Sequence, residues 1–151
     1  MNATPEDIPP PPDVCGIVLD GSEPDLIAAD ENAALCRSTG IAPADDGTAH
    51  PIYHFIATQI GMKYSVAGFC ALFDFDVADG PLIVGSTVTF RAPLRIETPY
   101  MVRGEILSIA RKQSRTLGTM DVAEYRLALY DGEENIAEVT NSWIFPRKAR
   151  T

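Results

Sequence analysis

At 151 residues the chain has the length of one domain, long enough to bury a core of its own. Its 21 acidic against 12 basic side chains give a formal charge of −9 with no basic stripe to offset it, which argues against nucleic acid as a partner. No run of about 18 apolar residues exists to cross a membrane. The start, MNATPEDIPPPP, is acidic and proline-rich where a secretory leader is basic and then apolar, so the expected location is cytoplasmic. Cys15, Cys36 and Cys70 are odd in number, widely spaced and without a C-x-x-C, which points away from both a disulfide framework and a zinc site.

Residues 1–12 are expected to be disordered, since four consecutive prolines can join neither a helix nor a ladder, leaving 13–147 as a single domain. Residues 14–19 (VCGIVL) read as a short strand. Ser22, Pro24 and Asp25 read as a helix start, with Ser22 the cap, and predict an alanine-rich surface helix to Ser38 that stops at Gly40. Residues 41–47 (IAPADDG) are a loop by composition. The stretch 48–62, TAHPIYHFIATQIGM, organises the rest. Pro51 fits the first turn of a helix, and Ile52, Phe55, Ile56 and Ile60 follow at helical spacing. No charged residue lies between Pro51 and Gln59, so this helix is expected to be buried all round.

After it the period changes to two. Phe69, Ala71, Phe73, Phe75 and Val77 alternate with polar or smaller residues and predict a strand over 69–77. Val88, Phe90, Ala92 and Leu94 predict a second. Residues 100–111 predict a third, whose alternation slips at Gly104 and suggests a bulge there. Residues 122–130 and 135–145 predict a fourth and a fifth, joined by a tight turn at Asp131-Gly132. A helix that needs covering and strands that each need one covered face satisfy one another, which makes the expected class α+β: a long central helix inside a curved antiparallel sheet of five to six strands.

That order resembles the hot-dog fold. Within it, residues 48–62, 84–112 (VGSTVTFRAPLRIETPYMVRGEILSIARK) and 125–147 (YRLALYDGEENIAEVTNSWIFPR) are similar to segments of the MaoC-like hydratase and dehydratase group. The resemblance covers about residues 22–146. It implies a homodimer, or a heterodimer with a second hot-dog chain, and substrates that are acyl thioesters of coenzyme A or a carrier protein. The reaction it implies is reversible addition of water across a 2,3 double bond. Catalytic members carry an Asp and a His five residues apart ahead of the core helix, whereas residues 22–30 here (SEPDLIAAD) have no histidine, and Ala28 or Ala29 stands in its place. The chain is then either a non-catalytic subunit or an atypical enzyme.

The candidate site residues lie at the start of the central helix. His50 can sit at the tunnel mouth beside helix N–H groups able to polarise a carbonyl, or its ring can cap the helix. His54, one turn on, and Tyr53 are either catalytic or packed in the core. Asp46, with Asp45, either orients His50 and serves as acid or only closes a turn. His50 and His54 have the i,i+4 spacing of a zinc pair without a third ligand, so no metal is expected. Arg111, Lys112 and Arg115 form the local basic cluster and are the candidates for a cofactor phosphate, or else a solvated turn. There is neither a glycine-rich phosphate loop nor a G-x-S-x-G, and no bound cofactor is expected. A thioesterase and a non-enzymatic ligand-binding module are the competing readings.

Overall fold

The computed structural model describes residues 8–147. The C-terminal half forms one antiparallel sheet of β1 (Leu82–Phe90), β2 (Met101–Ser114), β3 (Gly118–Asp131) and β4 (Glu134–Pro146), in the order β1-β4-β3-β2. Alternation sorts its two faces: Ala123, Tyr125, Leu127 and Leu129 of β3 are buried on the same side as Ala137, Val139, Trp143 and Phe145 of β4. A tight turn forms here, but its two loop residues are Gly132, at φ 61°, and Glu133, while Asp131 still pairs with Glu134.

The bulge in β2 falls elsewhere than expected. Its register shifts between Ile106 and Ser108, so the extra residue is Leu107. The inward set accordingly switches from Val102 and Ile106 to Ile109 and Arg111. Gly104 answers a different need: a Cβ there would lie 2.1 Å from the Arg126 carbonyl oxygen of β3. What reads as a slipped alternation is a close backbone approach.

The strand expected over 69–77 is instead helix α3 (Val66–Leu72) followed by a 3-10 turn, Val77–Asp79. Ser65 caps α3 by accepting from the Gly68 amide. Phe69, Cys70 and Phe73 are its buried side, at i, i+1 and i+4. Phe69 and Phe73 are four apart, a spacing that both a strand and a helix place on one face, and this is why alternation misleads here. The sheet therefore has four strands rather than five to six. The long central helix is likewise absent: α2 (Tyr53–Gly61) ends before residues 62–65, and α3 begins after them.

Helix α1 (Ala29–Ser38) starts later than Ser22. Its first amide, Ala29 N, donates to the Glu97 carboxylate at 2.7 Å, so the cap comes from a distant loop that local sequence does not reveal. The residues before it run extended along the open edge of β2. Gly16 N donates to Ile106 O (2.8 Å), Leu19 N to Gly104 O (2.8 Å) and Gly21 N to Val102 O (2.9 Å). This lane covers the edge with isolated bridges, at Val18 to Glu105 and Asp25 to Tyr100, rather than as a full strand.

Both later helices lie on the buried face of the sheet. Phe69 meets Tyr125 at 4.6 Å and Trp143 at 5.4 Å, and Phe73 stacks on Phe145 at 4.5 Å. Tyr53, Thr58 and Met62 of the α2 region are buried, but Ile52 is 39% and Ile60 67% exposed. The uncharged helix is wrapped on one side only.

The far end of the sheet is tied by a buried carboxylate. Asp121, fully buried, accepts from Arg111 Nε (2.8 Å) and Nη2 (3.0 Å) and from Arg147 Nε (2.7 Å). The same guanidiniums reach backbone carbonyls: Arg147 Nη1 donates to Asp74 O at 2.8 Å, and Arg111 donates to Pro9 O. Ile8 is buried beside this cluster. Residues 1–7 of the proline-rich start, and residues 148–151, lie outside the described residues.

Two stability predictions follow from these buried groups. Asp121→Ala strands two arginines and is expected to destabilise the fold by about 3–5 kcal/mol, read as a lowered urea midpoint. The second concerns Tyr125, whose hydroxyl burial pushes from 10.0 up to about 12 while the Gln59 amide pulls against the rise. Below pH 10 folded and unfolded chains both hold this proton and the contribution is intact. As pH rises towards about 12 only the unfolded chain loses it, so stability is expected to fall by about 2–3 kcal/mol across that window. Urea titrations at a series of alkaline pH values check this, with Tyr125→Phe flattening the slope.

Candidate functional site

A helix start is a ready site for a carbonyl or an anion only if its amides are free. At α2 they are not. His50 N donates to Asn32 Oδ1 (2.8 Å), Pro51 has no N–H, and Ile52 N donates to the His50 ring at Nδ1 (3.1 Å). Tyr53 N donates to His50 O (3.1 Å), His54 N to Pro51 O (3.0 Å) and Phe55 N to Ile52 O (3.0 Å), a tight 3-10 entry. Every amide from His50 to Phe55 is engaged within the chain.

The two imidazoles are used in opposite senses. His50 Nδ1 accepts an amide hydrogen, so the neutral ring carries its proton on Nε2. His54 Nδ1 faces the Pro51 carbonyl at 2.8 Å, which only accepts, so Nδ1 carries a proton and in the neutral ring Nε2 keeps the lone pair. His50 thus has a donor to offer and His54 an acceptor. The His54 ring meets Phe90 of β1 edge-on at 5.8 Å, which sets it towards the open edge of the sheet.

The other candidates are held by different work. Tyr53 is buried; that burial, then the charges of Glu31, Cys36 and Asp30, pushes its hydroxyl pKa up and keeps it neutral. Asp46 is exposed and its Oδ1 accepts from Thr48 N at 2.9 Å. This amide bond heads the causes that hold its carboxyl below the usual range, so it remains an acceptor, while its carbonyl takes the Arg95 guanidinium at 2.7 Å. Arg111 turns inward to Asp121 and away from Lys112 and Arg115, which are exposed at the β2–β3 hairpin. The structure brings His50, Tyr53 and His54 together and leaves Asp46 and the basic cluster apart from them.

Asn32 escaped the sequence reading. It is 2% exposed on α1, and its Oδ1 fixes His50 and also takes the Cys36 thiol at 3.8 Å. The only available signal was one amide amid alanines, which without α1's true start has no face to point from.

No protein-family model matches the sequence, and no curated protein matches it. Solved structures do. The chain superposes on a subunit of the HadBC 3R-hydroxyacyl-ACP dehydratase complex of Mycobacterium tuberculosis with a TM-score of 0.69 at 14% identity, covering 88% of this chain and 98% of that one. It is similar to a MaoC-like dehydratase from Rhodospirillum rubrum (TM-score 0.60, 13% identity, 97% and 99% covered). It is also similar to a probable thioesterase from Bartonella henselae (TM-score 0.51, 10% identity, 90% and 96% covered). The fold is the hot-dog fold, and MaoC-like dehydratases are among its structural neighbours. Among the described residues no helix is long and apolar enough to cross a membrane.

With only two histidines in the chain, long-range proton–nitrogen spectra resolve both rings. At neutral-ring pH they are expected to show His50 as the Nε2–H and His54 as the Nδ1–H tautomer. Asn32→Leu is expected to broaden or shift the His50 signals and leave those of His54.

Proposed function

We propose that this chain is the non-catalytic hot-dog subunit of a heteromeric MaoC-like enzyme that hydrates or dehydrates acyl thioesters of coenzyme A or a carrier protein. One observation carries the choice of a silent subunit over an atypical enzyme: no amide from His50 to Phe55 is left to polarise a thioester carbonyl. His50 Nδ1 is also committed to the backbone, so the ring works as a cap. Turning it into a base through Nε2 would require the other tautomer and the loss of that cap. The thioester class comes from the resemblance and from the hydroxyacyl-ACP named for the HadBC dehydratase.

The open side of the molecule supports a second chain. β1 is an edge strand of nine residues with no charged side chain, and Leu82, Ile83, Val84 and Phe90 are exposed on it. Exposed Ile52 and Ile60 of the α2 region add to the uncovered apolar surface. An uncharged, apolar free edge of this kind is a template for pairing. The HadBC neighbour is itself a complex of two different subunits.

Purified alone, the chain is expected to give no hydration of a short 2-enoyl-CoA, with activity appearing when a hot-dog chain carrying an Asp/His pair is added. His50→Ala is expected to leave the activity of the mixed complex in place while lowering stability by about 1 kcal/mol through the lost cap. Full hydration by this chain alone, abolished in His50→Ala, would reverse the assignment. Thiol release from acyl-CoA would point to the thioesterase reading, and absence of any acyl-CoA binding in calorimetry to the non-enzymatic one.

A further inference from the structure

Polar side chains from α2, β1, β3 and β4 meet over the middle of the sheet. Gln59 Nε2 donates to the Tyr125 hydroxyl at 2.9 Å. Asn141 stands in register with Ser86 on one side and Tyr125 on the other, and the Ser86 hydroxyl donates to its Oδ1 at 2.7 Å. The Trp143 ring meets that of Tyr125 edge-on at 5.9 Å. Tyr125 and Asn141 are fully buried and Trp143 is 3% exposed.

Four buried side-chain polar atoms among the described residues have no hydrogen-bond partner, and three of them belong to this cluster: Gln59 Oε1, Asn141 Nδ2 and Trp143 Nε1. Burial raises the Tyr125 pKa, and side-chain hydrogen bonding from Gln59, Asn141 and Trp143 pulls against it, so the Asn141 and Trp143 donors both face this hydroxyl. Only Gln59 meets it with full hydrogen-bond geometry, and the other two contacts leave their donors unsatisfied. Turning the Gln59 amide over would let its oxygen accept from the Tyr125 hydroxyl and would leave its NH2 as the orphan. Native interiors rarely leave such groups unpaired, and here two donors and one acceptor are left together. An ion does not fit, because no charged side chain is in the cluster to pair it.

We propose that Gln59, Asn141, Trp143 and Tyr125 form a built site for one neutral oxygen, which accepts from Asn141 Nδ2 and Trp143 Nε1 and donates to Gln59 Oε1. Water and the hydroxyl of a bound ligand share this chemistry. Ser86 links the site to the open β1 edge, so the polar chain runs from the surface where a second subunit is proposed to the centre of the core. Only the ligand arm of the test below rests on the acyl-thioester reading.

Trp143 is the single tryptophan, so its indole proton is one resolved resonance. In the free chain this proton is expected to be protected from exchange and to show a direct rotating-frame cross-peak to water. In Gln59→Leu the cross-peak is expected to vanish and the resonance to move upfield, with the backbone amide spectrum otherwise kept. Titration with butyryl-CoA and 3-hydroxybutyryl-CoA separates the sources. Loss of the water cross-peak with the hydroxyacyl thioester alone assigns the site to a ligand hydroxyl, and persistence with both assigns it to water. If neither thioester binds, the proposed function fails while the water result still stands or falls by itself. An indole proton without contact to water or ligand, and unchanged in Gln59→Leu, would overturn the site.

Discussion

The inward face of β3 and β4 is apolar from Ala123 to Leu129 and from Ala137 to Phe145 apart from Asn141, and it must be covered for the sheet to exist in water. The chain supplies two short helices for the purpose. Helix α3 covers one end with Phe69 and Phe73 fitted among Tyr125, Trp143 and Phe145, a cluster of rings at 4.5–5.4 Å. Helix α2 covers the centre but brings only Tyr53, Thr58 and Met62 fully inside. What remains of its apolar surface, with the free side of β1, stays uncovered. The same requirement that builds the core leaves an unfinished edge.

The two ends of this arrangement are fixed by unlike means. At the hairpin end, one carboxylate gathers four pieces of chain: the β2–β3 pair, the turn after α3, the end of β4 and the segment at Ile8–Pro9. Desolvating three charges is tolerable because their remaining hydrogens meet backbone carbonyls, and Arg111 can take part only because the Leu107 bulge has turned it inward. At the His50 end nothing charged is buried. Closure there comes from an amide, an imidazole and a proline, each removing one unpaired donor from the start of α2.

Much of the sheet was legible because β3 and β4 each alternate over ten residues, 118–127 and 137–146, and are joined by a tight turn after Asp131. The failures share a cause, which is that the deciding contacts are distant in sequence. The cap of α1 comes from Glu97, and Gly104 is required by Arg126 on the next strand. The 69–77 stretch offered the same aromatics to both periods, and only the cap at Ser65 and the ring packing select the helix. At the start of α2 the sequence singles out His50, Tyr53 and His54 because a proline-led, uncharged helix start is unusual. Asn32 and the inward turn of Arg111 stay hidden, since one depends on where α1 begins and the other on a bulge three residues from its expected place.

Burial, charge and hydrogen bonding bear differently on function. The residue types at the start of α2 are those of a reactive centre, yet the geometry assigns them to satisfying the backbone: a ring that accepts from Ile52 N cannot also take a proton from water at the same nitrogen. Three of the four buried polar atoms without partners among the described residues lie elsewhere, in the row from Asn141 to Gln59, and the uncovered apolar side chains lie on β1. In a self-sufficient enzyme the unsatisfied groups gather where substrate reacts. Here the polar row lies inside the core and the uncovered apolar surface lies along β1, where another strand has room to pair.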